Sequence, residues 1–416
     1  MAIDLGPGLS GVNPVVRLAW PDGLDEASFL ARYWQRAPLL LRQAVPDFET
    51  PLPPDELAGL ALEPDTTPRL IRKAPDGRYA LEHGPFDADV FETLGTRDWS
   101  LLVTDVEKHL PELVDWLQPF RLAPDWRLDD LMVSFAPDGA SVGAHVDEYD
   151  VFLLQASGTR RWSIDARAGV EYRSVVDGDL RLVADFHATD TWDLAPGDLL
   201  YLPPGVPHHG VAVGDDCTTW SIGFRAPSAA DVVAHFAQRL AERLAGALPQ
   251  ARLSDAGVGR GAPGEIDAAT VDAVERVWRA ATDLDRDTLV ELTGELLTLS
   301  GTGMTPDDEW GADDSTADGT ADIVDLDALA VAPFARLARV GRGDSVTLFA
   351  NGESFRCSRA LAERLFAGSV EPPDAFGDDE ATGDGGEPTA GRRADGLFDD
   401  GAVLDALLDR GVLVRR

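Results

Sequence analysis

Between residues 99 and 225 the chain is cut into short apolar runs by glycine, proline and aspartate. DLMVSFAP, YDVFLLQAS, RRWSI, DLLYLPP and TTWSIGF follow one another at close spacing. Many short strands of this kind predict a β-sandwich or barrel, because such runs are too brief and too often interrupted to be helices. Upstream, residues 17–45 read as a short apolar strand, a helix over FLARYWQRAP and a strand over LLLRQAV. Downstream, from residue 229, the period turns helical. Val232, Phe236, Leu240 and Leu244 fall on one face, and two more helical stretches follow near 266–282 and 285–299.

Residues 301–327 hold nine acidic residues and no basic one, and read as a linker. Residues 328–416 form a small α+β unit: an apolar start, a strand pair around a turn (SVTLFANGESFRCS), a helix (ALAERLFAG) and a terminal helix and strand (AVLDALLDRGVLVRR). A loop over DAFGDDEATGDGGEPTAGRRADG separates the last two parts. Helices followed by a two-stranded wing resemble a winged helix. That fold often binds DNA, but the charge here opposes it. The chain carries 36 basic against 73 acidic residues, a net −37. A phosphate backbone needs a basic surface, so nucleic acid is not the expected partner and a basic protein is.

With 416 residues, 44% of them hydrophobic, the chain can bury a large core and divides into two or three domains. Two cysteines, Cys217 and Cys357, are too few for a disulfide framework or a thiolate cage, and fit a reducing compartment. The first twenty residues lack the basic and apolar regions of a signal peptide, and no run of 18 apolar residues occurs. The expectation is a cytoplasmic protein with no membrane span.

Chemistry concentrates in two stretches. GASVGAHVDEYDVF contains His145 and Asp147, two residues apart. In a strand that spacing puts both side chains on one face, where they can grip one ion. PGDLLYLPPGVPHHG ends an apolar strand in a Pro-Pro-Gly turn that delivers a histidine. Two imidazoles and one carboxylate make the facial triad of non-haem Fe(II) sites, with three coordination positions left open. The spacing resembles the two cupin motifs: Gly139, five residues, His145, one residue, Asp147, later Gly158; then Gly197, five residues, Pro203, one residue, Gly205, two residues, His208. That count selects His208 rather than His209. Val151 or Phe152 stands where many cupins carry a glutamate as a fourth ligand, which leaves room for a bidentate co-substrate.

The chain also resembles the 2-oxoglutarate-dependent JmjC oxygenases, and within them the bacterial ribosomal oxygenases, which are arginine hydroxylases acting on a large-subunit ribosomal protein. The matching stretches are FLARYWQRAPLLLRQAVPDF, DWRLDDLMVSFAPDG, GAHVDEYDVFLLQASGTRRW, LYLPPGVPHHG and WSIGFRAPS, within residues 17–228. The resemblance implies Fe(II) held by His145, Asp147 and His208, with 2-oxoglutarate as co-substrate. It gives Arg160, fifteen positions after the first histidine, the distal carboxylate of 2-oxoglutarate, with Ser134 adding a hydroxyl. Arg161 is expected on the other face of the strand as a surface or paired residue. Asp130, Met132 and Tyr149 match positions lining the substrate arginine pocket, and Ser221 adds a polar contact. The residue types suit this: a carboxylate for the guanidinium, a ring to stack on it and a thioether over its stem. Trp162, Trp192 and Trp220 are expected in the core, and His187 and His209 outside the ligand set.

The expected fold is therefore α+β. A double-stranded β-helix (cupin/JmjC) barrel over 1–228 is followed by a helical dimerisation segment over 229–300, the acidic linker 301–327 and a winged-helix-like domain over 328–416. The expected assembly is a homodimer, and the expected partner a basic ribosomal protein. The same chemistry on a histidyl or small-molecule substrate, or a non-catalytic cupin that binds a ligand, are the rival readings.

Overall fold

The computed structural model describes residues 17–167, 172–177, 180–247, 266–299, 329–332, 335–341, 345–366 and 399–415. The acidic linker 301–327 and the loop DAFGDDEATGDGGEPTAGRRADG lie outside the described residues. The chain divides into two compact units, Met1–Ala226 and Pro227–Arg416.

The first unit is built on an antiparallel sheet. Its strands are β1 (Leu39–Leu41), β2 (Thr67–Lys73), β3 (Tyr79–His83), β4 (Trp99–Thr104), β5 (Leu128–Ala136) and β6 (Asp150–Ile164). A separate hairpin, β7 (Ser174–Asp177) and β8 (Leu180–Val183), precedes β9 (Asp190–Leu194), β10 (Leu199–Leu202) and β11 (His208–Phe224). The nine-stranded sheet runs β1-β10-β6-β11-β5-β4-β2-β3, with β9 also paired to β6. The expected apolar strand at the start of residues 17–45 does not form. Its residues instead lie against the sheet, with Ala19 N donating to Ala44 O at 2.7 Å. The helix that follows is shorter than its apolar pattern, spanning Glu26–Arg32 behind an Asp25–Ser28 capping box.

Two long strands organise the sheet. β6 pairs with β10 through Val151–Leu154 and with β9 through Arg160–Ile164, while β11 follows it along the other edge. The change of neighbour falls at Gly158, whose φ is +60°. A Cβ there would overlap the Asp216 carbonyl, so only glycine lets β11 pass this close. Strand parity then sorts the side chains into two buried layers. Leu131 and Val133 of β5, with Phe152, Leu154, Trp220 and Ile222, pack beneath the helices around Phe29 and Phe120. Val151, Leu153, Trp162, Ile164, Leu194, Leu200 and Leu202 pack on the opposite face. The run LLYL of β10 is buried on both sides, which explains its lack of alternation. Trp220 is core, as the sequence implies, and Trp192 packs partly buried against the second layer.

In the second unit, helices span Ala229–Ala247, Ala268–Thr282 and Arg286–Thr298. The Arg239 guanidinium on the first pairs through Nε and Nη2 with the Glu295 carboxylate on the third, at 2.8 and 3.1 Å. Strands Leu337–Val340, Ser345–Ala350 and Glu353–Ser358 form a three-stranded sheet, and Leu329–Val331 pairs with Leu413–Arg415. The tight connection at Asn351 and Gly352 has positive φ at both residues, the hairpin geometry that Asn-Gly favours. Leu348, Phe355, Leu361, Leu404, Leu407 and Val412 form this unit's own core.

Candidate functional site

The two histidines meet where the loop between β5 and β6 crosses the start of β11. Here the sequence expectation needs correction: His145 and Asp147 are not in a strand. His145 makes an isolated antiparallel bridge with His208, its N donating to His208 O at 3.0 Å and accepting the reverse bond at 2.9 Å through its own O. Asp147 reaches the same spot because the Gly205 N–H holds its carbonyl at 2.8 Å. Gly205 turns the chain after Pro203 and Pro204 with φ +82°, a conformation that favours glycine. The turn that presents His208 therefore also pins Asp147. The loop is anchored upstream by Gly139 and Ala140, each hydrogen-bonded to Ala212 at 3.0 Å. Downstream it is anchored by the fully buried Asp150, which accepts from Arg127 at 2.7 Å and Tyr201 at 2.6 Å.

Among the described residues, His145, Asp147 and His208 are the group of histidine and carboxylate side chains able to hold a metal, with ligand atoms within 4.8 Å of one another. His145 Nε2 lies 3.9 Å from Asp147 Oδ1, and His208 Nε2 3.5 Å from Asp147 Oδ2. Each Nδ1 sits 3.0 Å from a carbonyl, Gly143 O for His145 and Val206 O for His208. A carbonyl only accepts, so each Nδ1 carries the proton and each Nε2 offers its lone pair inward. Burial, with His145 close by, pulls the His208 imidazole below its ordinary range and favours the neutral, ligating form. His209 faces away from this cluster, its ring 6.0 Å from that of Phe186. The structure brings His208, and not its neighbour His209, beside His145 and Asp147. Two imidazoles and a carboxylate suit a first-row divalent metal such as Fe(II), and no thiolate joins the group.

Arg160 lies on β6, only 4% exposed. Its Nη1 donates to Ser134 Oγ at 3.2 Å and Thr219 Oγ1 at 3.3 Å, and its Nε has no partner. Among the described residues no carboxylate pairs with it. A buried guanidinium without a counter-ion is costly unless a ligand supplies the anion. Its neighbour Arg161 points outward and forms a two-bond pair with Asp193, at 2.7 and 2.9 Å. Trp162 stands on the same face as Arg160, its ring 5.4 Å from the guanidinium carbon and 5.6 Å from the His208 ring. It is thus a wall of the site as well as a core residue. Thr219 donates to Gln155 Oε1 at 3.2 Å and completes the polar lining.

On β5, Asp130, Met132 and Ser134 alternate onto one face, and Ser221 of β11 lies opposite Met132. Asp130 Oδ1 would lie 2.7 Å from a Cβ on Gly223, and the Tyr149 ring 3.9 Å, so Asp130 and Tyr149 converge over that glycine. Tyr149 remains 41% exposed, at the mouth. Burial, with Asp129, Glu107 and Asp105 nearby, pushes the Asp130 carboxyl up to about 8. Glu107, itself pushed up to about 7 by burial, accepts the Leu131 N–H at 3.0 Å beyond the end of the β4–β5 pairing. Thr219 and Gln155 join the site through strand register and Glu107 from the short helix Val106–His109, and none of the three belongs to a motif.

Similarity to known proteins follows the same residues. A family model described as JmjC domain matches residues 115–232. The ribosomal protein uL16 3-hydroxylase of Escherichia coli is 41% identical over 226 residues, covering 54% of this chain and 58% of that protein. A probable ribosomal oxygenase of Haemophilus influenzae is 36% identical over 214 residues, covering 51% and 52%. These matches span a little over half the length of the curated relatives. A solved structure of YcfD, a ribosomal oxygenase from E. coli, in complex with cobalt and 2-oxoglutarate, superposes with a TM-score of 0.67 at 30% identity, covering 96% of this chain and 99% of that one. Among the described residues no helix is long and apolar enough to cross a membrane.

Proposed function

This chain belongs to the bacterial ribosomal oxygenases of the JmjC family, and on that footing we propose that it is an Fe(II)- and 2-oxoglutarate-dependent hydroxylase of an arginine side chain on a large-subunit ribosomal protein. The observation that carries the reading is Arg160, a buried guanidinium with no carboxylate partner among the described residues, on the same face as a histidine–aspartate–histidine cluster. The related uL16 3-hydroxylase and the cobalt- and 2-oxoglutarate-bound YcfD support the same assignment.

His145, Asp147 and His208 would hold Fe(II), which with 2-oxoglutarate and dioxygen supplies the oxidising power to replace C–H by C–OH, leaving succinate and CO₂. Arg160 grips the distal carboxylate of 2-oxoglutarate through parallel hydrogen bonds, and Ser134 adds its hydroxyl. The apolar layer around Trp162, Leu153 and Leu200 keeps water from the bound co-substrate. Asp130 pairs with the acceptor guanidinium, Tyr149 stacks on it, Met132 covers its stem and Ser221 gives a further polar contact.

The pocket has a pH signature. Free Asp130 holds its proton below about 8, and an arriving guanidinium favours the ionised form. Acceptor binding should therefore weaken as the pH falls below 8 and level off above it. Asp130→Asn should remove that pH dependence and most acceptor turnover while sparing 2-oxoglutarate binding. An arginine-to-lysine acceptor peptide, lacking the planar fork, should be a poor substrate. Succinate release measured with both peptides and both enzymes tests the pocket. Equal turnover of the two peptides, unaffected by Asp130→Asn, would show that no arginine site exists here.

Residues 229–300 serve as a dimerisation segment in this reading, joined by the linker 301–327 to the winged-helix-like domain over 328–416. In support, Val271, Val274 and Trp278 form an exposed apolar stripe, 55%, 49% and 61% exposed. A two-fold dimer would cover it. Light scattering at micromolar concentration should give twice the chain mass, and a monomer would end this part of the account. A basic ribosomal protein would be drawn to the acidic enzyme, without direct binding of nucleic acid.

A further inference from the structure

We propose that Arg69 docks the backbone of the acceptor protein, donating to a main-chain carbonyl oxygen beside the target arginine. The inference rests on the hydroxylase reading above and adds a specificity residue that no sequence motif marks.

Register places Arg69 on the site face. It lies opposite Leu102 on β4, Leu102 lies opposite Ser134 on β5, and Ser134 lies opposite Thr219 on β11. Residues directly opposite one another share a face, so Arg69 stands in the row that holds Ser134. Its Nη2 is 3.0 Å from Met132 Sδ and 3.3 Å from Thr104 Oγ1. A thioether is a weak acceptor, and a guanidinium has five N–H donors to place. Arg69 forms no ion pair with a carboxylate among the described residues, and its remaining N–H groups are not sealed from solvent. Arg72, three residues along the same strand, is by contrast paired with Glu82 at 3.0 Å. A half-buried cation thus rests against the side chain proposed to cover the substrate stem, with donors to spare.

The surroundings select the ligand. Asp130 alternates onto the same face of β5 as Met132, and its carboxylate, ionised by the bound arginine, would repel an acidic side chain of the acceptor there. The target guanidinium would be repelled by Arg69 itself and directed toward Asp130. A main-chain carbonyl is neutral, strongly accepting and present at every residue. It satisfies Arg69 without either conflict. The co-substrate has its own cation in Arg160.

Steady-state kinetics of the full chain, with a bacterial uL16 protein as acceptor, test this. A hydrogen bond to a charged group is worth about 1.5–3 kcal/mol, about tenfold to a hundredfold in affinity. Arg69→Ala and Arg69→Met should each raise the KM for the acceptor by about that factor, with kcat and the KM for 2-oxoglutarate unchanged. Arg69→Lys should restore part of the loss, since it keeps a charged donor without the fork. Acceptor analogues with the amides flanking the target arginine replaced by esters, whose carbonyls accept more weakly, should lose affinity for the parent enzyme but not for Arg69→Ala. An unchanged acceptor KM, a matching rise in the KM for 2-oxoglutarate, or full recovery in Arg69→Met would overturn the inference. The last would mean that only the stem matters. A parent enzyme that leaves uL16 unmodified would overturn the hydroxylase reading first, and this inference with it.

Discussion

Replacing His208 by alanine should abolish iron-dependent turnover, and replacing His209 should leave most of it. The two side chains are adjacent in sequence but opposite in direction. His208 Nε2 is 3.5 Å from the Asp147 carboxylate, while His209 packs toward Phe186. The bridge between His145 and His208 runs through main-chain atoms, so His208→Ala removes a donor without removing the hydrogen bonds that place the loop. His145→Ala and Asp147→Ala should be equally dead, since each takes away one third of the metal's protein ligands. The loss should exceed the roughly 10–100-fold seen when only a residue supporting a ligand is changed. Iron titration followed by succinate release, with cobalt binding as an independent readout, separates loss of metal from loss of fold. An inactive His209→Ala beside an active His208→Ala would show that the ligand is His209 and not His208.

Arg160→Ala should raise the 2-oxoglutarate requirement by about tenfold to a hundredfold or more, from a charge-assisted pair worth about 1.5–3 kcal/mol in a buried setting. Arg161→Ala should change it little. Arg161 is satisfied by Asp193 at the surface, where water screens the pair. The difference lies in strand parity: one residue along β6 exchanges the interior for solvent. Titrating 2-oxoglutarate against both variants tests it, and equal effects would mean that neither arginine is the carboxylate's partner. Arg160→Lys should recover part of the affinity, because it returns the charge without the fork.

The parts of this site that sequence made legible are those held by local spacing. The glycines and prolines of the two motifs set turns, and the turns set where His145, Asp147 and His208 emerge. The role of Arg160 came from the resemblance, whose pattern sets a basic residue fifteen positions after the first histidine, and the outward position of Arg161 from alternation. The expected strand around His145 was wrong in form though not in outcome. The loop achieves with one bridge and one hydrogen bond from Gly205 what a strand would achieve by alternation. Arg69, Thr219 and Gln155 were invisible because they reach the site across strands, and cross-strand register is a property of the folded sheet, while Glu107 reaches it from the short helix Val106–His109 after β4. The apolar run near residue 20 failed for a related reason. Its residues are apolar because they pack on Phe29, not because they pair in the sheet.

Intact-mass analysis of the large-subunit ribosomal proteins, comparing the host with a strain lacking this gene, tests the central claim most directly. One protein, the uL16 counterpart, should be lighter by a single oxygen atom in the deletion strain, the difference should map to an arginine, and the gene should restore it while its His208→Ala form should not. Identical masses in the two strains, or an oxygen lost from a residue other than arginine, would contradict it.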